Sequence, residues 1–218
     1  MDITKDFKLF AKSKGLLHSA EEAQFNTLKN SLTPIVLEER EMRATAVDVF
    51  SRLLMDRQIF FGEEVNENTA NLIIAELLYL DSLENKDITL MINSPGGSVI
   101  NGLAVIDTMN FINSDVSTLC CGMAASMGAV LLSNGTKEKR LILPHSRVMI
   151  HQVSSVSRGV LKDMEIELEQ ARRCKQDVYK ILADNTNKSI EEVEALCDRD
   201  NWFIGQEAVD LGIVDKVV

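Results

Sequence analysis

The sequence predicts an α/β fold in which helices pack on a sheet, and three features carry that prediction. Short β-rich runs such as QIFF, ITLMIN, VSTLCC and RVMI recur along the chain, and longer apolar segments of helical spacing separate them. The turn-forming stretches SPGGS and LPHS fall between these runs. The 218 residues, 45% hydrophobic and 26% charged, describe a globular chain long enough for one domain with a proper core.

The first 33 residues form a polar N-terminal extension without strong periodicity, and residues 34–218 form a single domain. Within that domain QIFF (58–61) is a strand, followed by a helix from about Asn66 to Leu83. TANLIIAELLYL is apolar nearly all round, so this helix must be covered on several sides. DITLMIN is the next strand and SPGGS a loop, with Ser98 the N-cap of the helix VINGLAVIDTMNFI. VSTLCC reads as a buried strand. Ala124 to Ser133 reads as a helix ended in a left-handed turn at Asn134-Gly135.

KRLILP and RVMIH read as two short strands. A long helix covers about Val160 to Asp184, with Leu161, Met164, Leu168, Ala171, Val178 and Leu182 at 3–4 spacing. At about 1.5 Å per residue it is long for a small domain, either projecting or packed throughout. Ser189 and Glu192 form a capping box that opens a shorter helix. NWFI is a strand, QEAVDLG a helical turn stopped by Gly212, and IVDKVV a final strand.

Composition excludes several functions. A net charge of -10 repels phosphate backbones, which argues against nucleic acid. No run of 18 apolar residues exists to span a membrane, and MDITKDFKLFAKSKG lacks the apolar stretch of a secretory signal. The four cysteines lack CxxC spacing and read as small core residues in a reducing compartment, the cytoplasm. His18, His145 and His151 show no metal-ligand spacing with them, so no metal is expected. SPGGS lacks the lysine of a phosphate loop, so no cofactor is expected in this chain.

Ser126 sits in CGMAASMGAV, either as a small residue tolerated in a packed turn or as a nucleophile. Its place near a helix start, after a buried strand, favours developing negative charge. A serine nucleophile needs a base, and His151, at the end of a strand, is placed better than His18 or His145. Asp200, just before NWFI, sits at a strand mouth as His151 does. Asp198, Asp210 and Asp215 read as solvated or capping carboxylates. Gly96-Gly97 would free a backbone N–H for a carbonyl oxygen.

INSPGGSV, GMAASMGA, PHSRVMIHQ and DRDNW, in this order, resemble the ClpP family, the proteolytic subunits of ATP-dependent Clp proteases. The resemblance covers roughly residues 34–218. It implies a crotonase-like fold of repeated strand–strand–helix units with a protruding handle helix. It also implies a serine endopeptidase with Ser126 as nucleophile, His151 as base and Asp200 as the supporting acid. The oxyanion donors would be the N–H groups of Gly97 and Met127.

The implied assembly is a homo-oligomer of two stacked seven-membered rings, fed with unfolded polypeptides by an AAA+ unfoldase that uses the ATP. Residues 1–33 resemble a propeptide in position, and Arg199 matches an arginine that pairs across rings. The family pattern carries proline and a Gly-Gly pair where this chain has Val153 and SSVSRG. Its docking-pocket tyrosines are replaced by Thr89 and Met91, while Phe111 matches. Two alternatives share the fold. One is a catalytically silent ring subunit, which would lack triad residues; the other is an acyl-CoA enzyme of the crotonase superfamily, which needs no serine nucleophile.

Overall fold

A computed structural model describes residues 35–40, 43–155 and 158–218 of the chain. The N-terminal extension with His18, and Val156 and Ser157 of the run SSVSRG, lie outside the described residues. The first elements are a hairpin of β1 (Ile35–Arg40) and β2 (Arg43–Asp48), followed by α1 (Val49–Met55). None of the three was expected, because the strand IVLEER carries charges at half of its positions and shows no alternation. Asp48 caps α1 by accepting from the Ser51 N–H at 3.0 Å.

The main sheet begins with β3 (Gln58–Phe61), β4 (Ile88–Ser94) and β5 (Val116–Ala125), all parallel. Helices α2 (Glu67–Leu83) and α3 (Val99–Phe111) make the crossovers. Burial along β4 alternates: Ile88, Leu90 and Ile92 are fully buried, whereas Thr89 and Met91 are half-buried. Each of those buried side chains contributes about 1.5–3 kcal/mol relative to exposure. β5 alternates in the same way, so VSTLCC is covered on one face rather than on both. Accordingly Cys120 is buried and Cys121 only partly so. Phe111, at the end of α3, is 80% exposed.

Local chemistry sets the helix ends. Asn66 and Thr69 form a reciprocal capping box at the start of α2. At its far end the Arg57 guanidinium donates to the carbonyls of Leu80, Glu84, Lys86 and Asp87. Ser98 caps α3 as expected, accepting from the Asn101 N–H.

β5 is longer than expected and serves two neighbours. Thr118 to Cys120 pair with β6 (Arg140–Ile142), and Met123 to Ala125 pair with β7 (Arg147–Ile150). A bulge around Gly122 lets the strand turn from one partner to the other. The Gly122 N–H donates to Ser146 Oγ at 2.7 Å, and the Met123 N–H donates to Asn93 Oδ1 at 3.1 Å. The following helix, α4, therefore spans Met127–Ser133 and does not begin at Ala124.

The left-handed stop expected after α4 is absent. Asn134 has φ −85° and ψ 4°, and Gly135 is there for a close approach. A Cβ at Gly135 would lie 2.3 Å from Thr118 Oγ1, whose hydroxyl donates to the Leu132 carbonyl at 2.7 Å.

The long helix α5 (Leu161–Thr186) spans about 39 Å at 1.5 Å per residue. Only its second half packs on the domain: Cys174, Val178, Tyr179, Leu182 and Ala183 are buried, while Leu161, Ile166 and Leu168 are exposed. The first half projects. After α6 (Ile190–Leu196), opened by the Ser189–Glu192 capping box, β8 (Asn201–Ile204) pairs antiparallel with β7. Gly212 ends α7 (Gln206–Leu211) at φ 91°, and the last strand, β9, is only Lys216–Val217, beside β6.

Asp215 departs from its expected role as a solvated or capping residue. Its carboxylate grips the Arg140 guanidinium and accepts the Arg140 N–H at 2.9 Å. The side chains are only 7% and 21% exposed. The same guanidinium donates to the carbonyls of Asn185 and Gly212, tying the ends of α5 and α7 to β6.

Candidate active site

The C-terminal end of β5 delivers Ser126. Its backbone sits at φ 53°, ψ −122°, a conformation that costs a non-glycine residue on the order of 1–3 kcal/mol. The Ser126 N–H donates to the Met149 carbonyl at 2.8 Å, and the Ser126 carbonyl accepts from Ala129 at 2.9 Å. Although Ser126 is the residue preceding α4, its hydroxyl makes no capping bond to the helix. Instead Oγ lies 2.8 Å from His151 Nε2.

Strand register explains why His151 meets Asp200. β7 and β8 pair as Arg147↔Ile204 through Ile150↔Asn201. One step beyond the last pair, the same antiparallel register sets residue 151 opposite residue 200. His151 Nδ1 lies 3.1 Å from Asp200 Oδ1, with the side chains 28% and 66% exposed. Ser126, His151 and Asp200 thus come together although they lie on three separate segments of the chain. His145 is exposed in the turn between β6 and β7.

The SPGGS loop folds against the serine elbow. A Cβ at Gly96 would lie 2.5 Å from the Ala125 carbonyl oxygen and 2.7 Å from Ser126 Cβ, so only glycine fits there. The Val65 N–H donates to Gly96 and the Ser98 N–H donates to Val65, both at 2.8 Å. That pairing turns the N–H of Gly97 away from Val65. Among the described residues neither the Gly97 nor the Met127 N–H donates a hydrogen bond. Gly97, Ser126, Met127, His151, Gln152 and Val178 line one cleft.

Burial pushes the Cys120 thiol up to about 12 and raises that of Cys121, which leaves little thiolate at neutral pH. Among the described residues no group of three His, Cys, Asp or Glu side chains is placed to hold a metal ion. No helix of the described residues is long and apolar enough to cross a membrane.

One residue at the site escaped the sequence reading. Gln152 Nε2 donates to the backbone carbonyl of Asp198 at 3.0 Å, linking the segment after β7 to the loop before β8. The only available signal was a polar side chain next to His151, which does not name a partner. Arg199, at 88% exposure, has Asp198 at 3.9 Å as its ion-pair partner.

A strained serine on a strand-to-helix elbow, an imidazole within hydrogen-bond reach and a carboxylate behind it describe the class of serine hydrolases. The profile of the Clp protease family matches residues 39–218, and the chain belongs to that family. It is 47% identical over 215 residues to an ATP-dependent Clp protease proteolytic subunit of Bacteroides fragilis (strain YCH46), covering 98% of each chain. A second Bacteroides fragilis subunit of that name, from strain ATCC 25285, is 52% identical over 188 residues, 86% of this chain and 91% of that protein. The subunit of Porphyromonas gingivalis is 45% identical over 215 residues, 98% of this chain and 97% of its own.

Proposed function

We propose that this chain is the proteolytic subunit of an ATP-dependent Clp protease and cleaves peptide bonds through an acyl-enzyme on Ser126. The observation that carries the reading is the 2.8 Å approach of Ser126 Oγ to His151 Nε2. In the forward step His151 takes the hydroxyl proton as Oγ bonds to the substrate carbonyl carbon. The tetrahedral oxyanion is held by the N–H groups of Gly97 and Met127, each worth about 3 kcal/mol in such sites.

The His151 imidazolium then protonates the leaving amine, the C–N bond breaks, and the acyl group stays on Oγ. Water, deprotonated by the same imidazole, releases the acid and restores the serine. Asp200 fixes the imidazole tautomer and balances its positive charge. No cofactor takes part in these steps. Backbone pairing of the substrate as an added strand would tolerate many sequences. The unpaired Gly97 N–H and the hydroxyl turned away from the helix cap both support this chemistry. A silent subunit or an acyl-CoA enzyme would have no use for a serine, histidine and carboxylate in line.

The partner is an AAA+ unfoldase that spends the ATP, and the compartment is the cytoplasm. Phe111, exposed at the end of α3, and the half-buried Thr89 and Met91 belong to the proposed docking face. The projecting half of α5 supports assembly into stacked rings. Native mass spectrometry should therefore give a mass many times 24.3 kDa. A fully active monomer would overturn the ring proposal.

The site assignment is tested by three variants and a fluorogenic peptide. His151→Ala should lower kcat by about 10⁶-fold and Asp200→Asn by about 10⁴-fold, the scales seen when the base and the orienting acid are lost from other triads. His145→Ala should retain most activity. The reverse ranking would remove His151 as the base.

A further inference from the structure

The loop that carries Asp200 is short and exposed. It runs from Asp198 to Asp200 between α6 and β8. Its two ends are anchored: the Cys197 N–H donates to Val193 at 2.9 Å, and Asn201 Nδ2 donates to Leu196 at 3.2 Å. The β7–β8 ladder stops at Ile150↔Asn201, so no strand pairing reaches the three loop residues. The Arg199–Asp198 ion pair lies within the loop at 88% and 75% exposure, where solvent screens it, and it anchors nothing outside.

Among the described residues, the hydrogen bonds that reach the loop from elsewhere are His151 to Asp200 and Gln152 to Asp198. Gln152 is the next residue after His151, and its amide donates to the Asp198 carbonyl beyond the last pair of the ladder. The two contacts therefore act as a clamp. One brings the carboxylate to the imidazole; the other holds the peptide two residues upstream.

We infer that Gln152 is a positioning residue: its bond to the Asp198 carbonyl holds Asp200 against His151. The inference rests on the proposed triad and adds a residue to it. Gln152 makes no hydrogen bond to Ser126 and, in this role, acts through Asp200. Without it, His151 supplies the one hydrogen bond left, among the described residues, from outside the loop to its three residues, and that bond competes with water because Asp200 is 66% exposed. Small misplacement of a catalytic group costs on the order of 100-fold in rate.

The test is a double-mutant cycle in the full-length assembled protein. Gln152→Met keeps the side-chain length but has no N–H to donate. It should lower kcat on a short fluorogenic peptide by about 10- to 100-fold and leave KM nearly unchanged. Fluorophosphonate labelling of Ser126 should slow in parallel. In an Asp200→Asn background the same substitution should cost nothing further, because the group it positions has been lost.

An equal loss in both backgrounds would overturn the positioning role, as would wild-type kcat in Gln152→Met. A normal kcat in Asp200→Asn alone would overturn the triad itself and this inference with it. If Gln152→Met fails to assemble, Gln152→Asn carries the same test, since its amide falls one methylene short of the Asp198 carbonyl.

Discussion

Ser126→Ala is expected to reduce peptide cleavage by about six orders of magnitude, the scale seen when a triad nucleophile is removed. It should also abolish covalent labelling by a fluorophosphonate. The fold should survive, because the hydroxyl makes no bond to the helix cap and, among the described residues, hydrogen-bonds to His151 alone. Alanine inherits the same positive φ of 53°, so the backbone strain remains. Ser126→Gly, by contrast, should relieve that strain and raise stability by about 1 kcal/mol while being equally inactive. Mass spectrometry of the labelled wild type locates the modified residue, and a label elsewhere would move the nucleophile.

The largest effect on stability is expected from Arg140→Met. The substitution leaves the Asp215 carboxylate mostly enclosed without its guanidinium, and strips donors from the Asn185 and Gly212 carbonyls. Breaking a buried pair from one side costs about 3–5 kcal/mol. For a chain of this size that is a fall of about 6–20 °C in Tm, read at fixed protein concentration.

The acid side of the stability profile should change as well. Burial pushes the Asp215 carboxyl up, but its bonds to the Arg140 side chain and backbone outweigh that and hold it below its usual range. A depressed carboxylate stabilises the fold above its unfolded value of about 3.9, and that contribution is lost as pH falls through the folded value. Arg140→Met removes the guanidinium's share of that lowering and leaves the backbone N–H groups of residues 138 and 140 to oppose burial. The acid unfolding midpoint of Arg140→Met should move to higher pH; an unchanged midpoint would remove Asp215 from the account.

Strands such as ITLMIN and VSTLCC were legible as short runs rich in β-branched and aliphatic residues set between turn-forming stretches. The second half of β5 was not. Ala124 and Ala125 are strong helix formers, and pairing with β7, a long-range interaction, overrides that preference. Asp215 was misread because its partner lies 75 residues away and the chain carries 33 acidic residues. Gly135 illustrates a different limit. Its turn chemistry was visible in Asn134-Gly135, whereas the reason for glycine is the Thr118 side chain on another element.

At the site, the resemblance pointed to Ser126, His151 and Asp200, and the register of β7 with β8 supplies the reason two of them meet. The contribution of Gln152 depends on a carbonyl, which every residue possesses and no motif distinguishes. Backbone partners of this kind are invisible to side-chain patterns.

The split of β5 has a mechanical consequence. The serine hangs from a strand buried at the centre of the sheet, while the histidine and the acid ride on a two-strand leaf joined to it along Met123–Ala125. Tugging on that leaf would disarm the hydroxyl without melting the hydrophobic interior. Deuterium uptake should accordingly run faster through Asn201–Ile204 than through Ile88–Ser94, and catalytic competence should fail at lower denaturant than the core does.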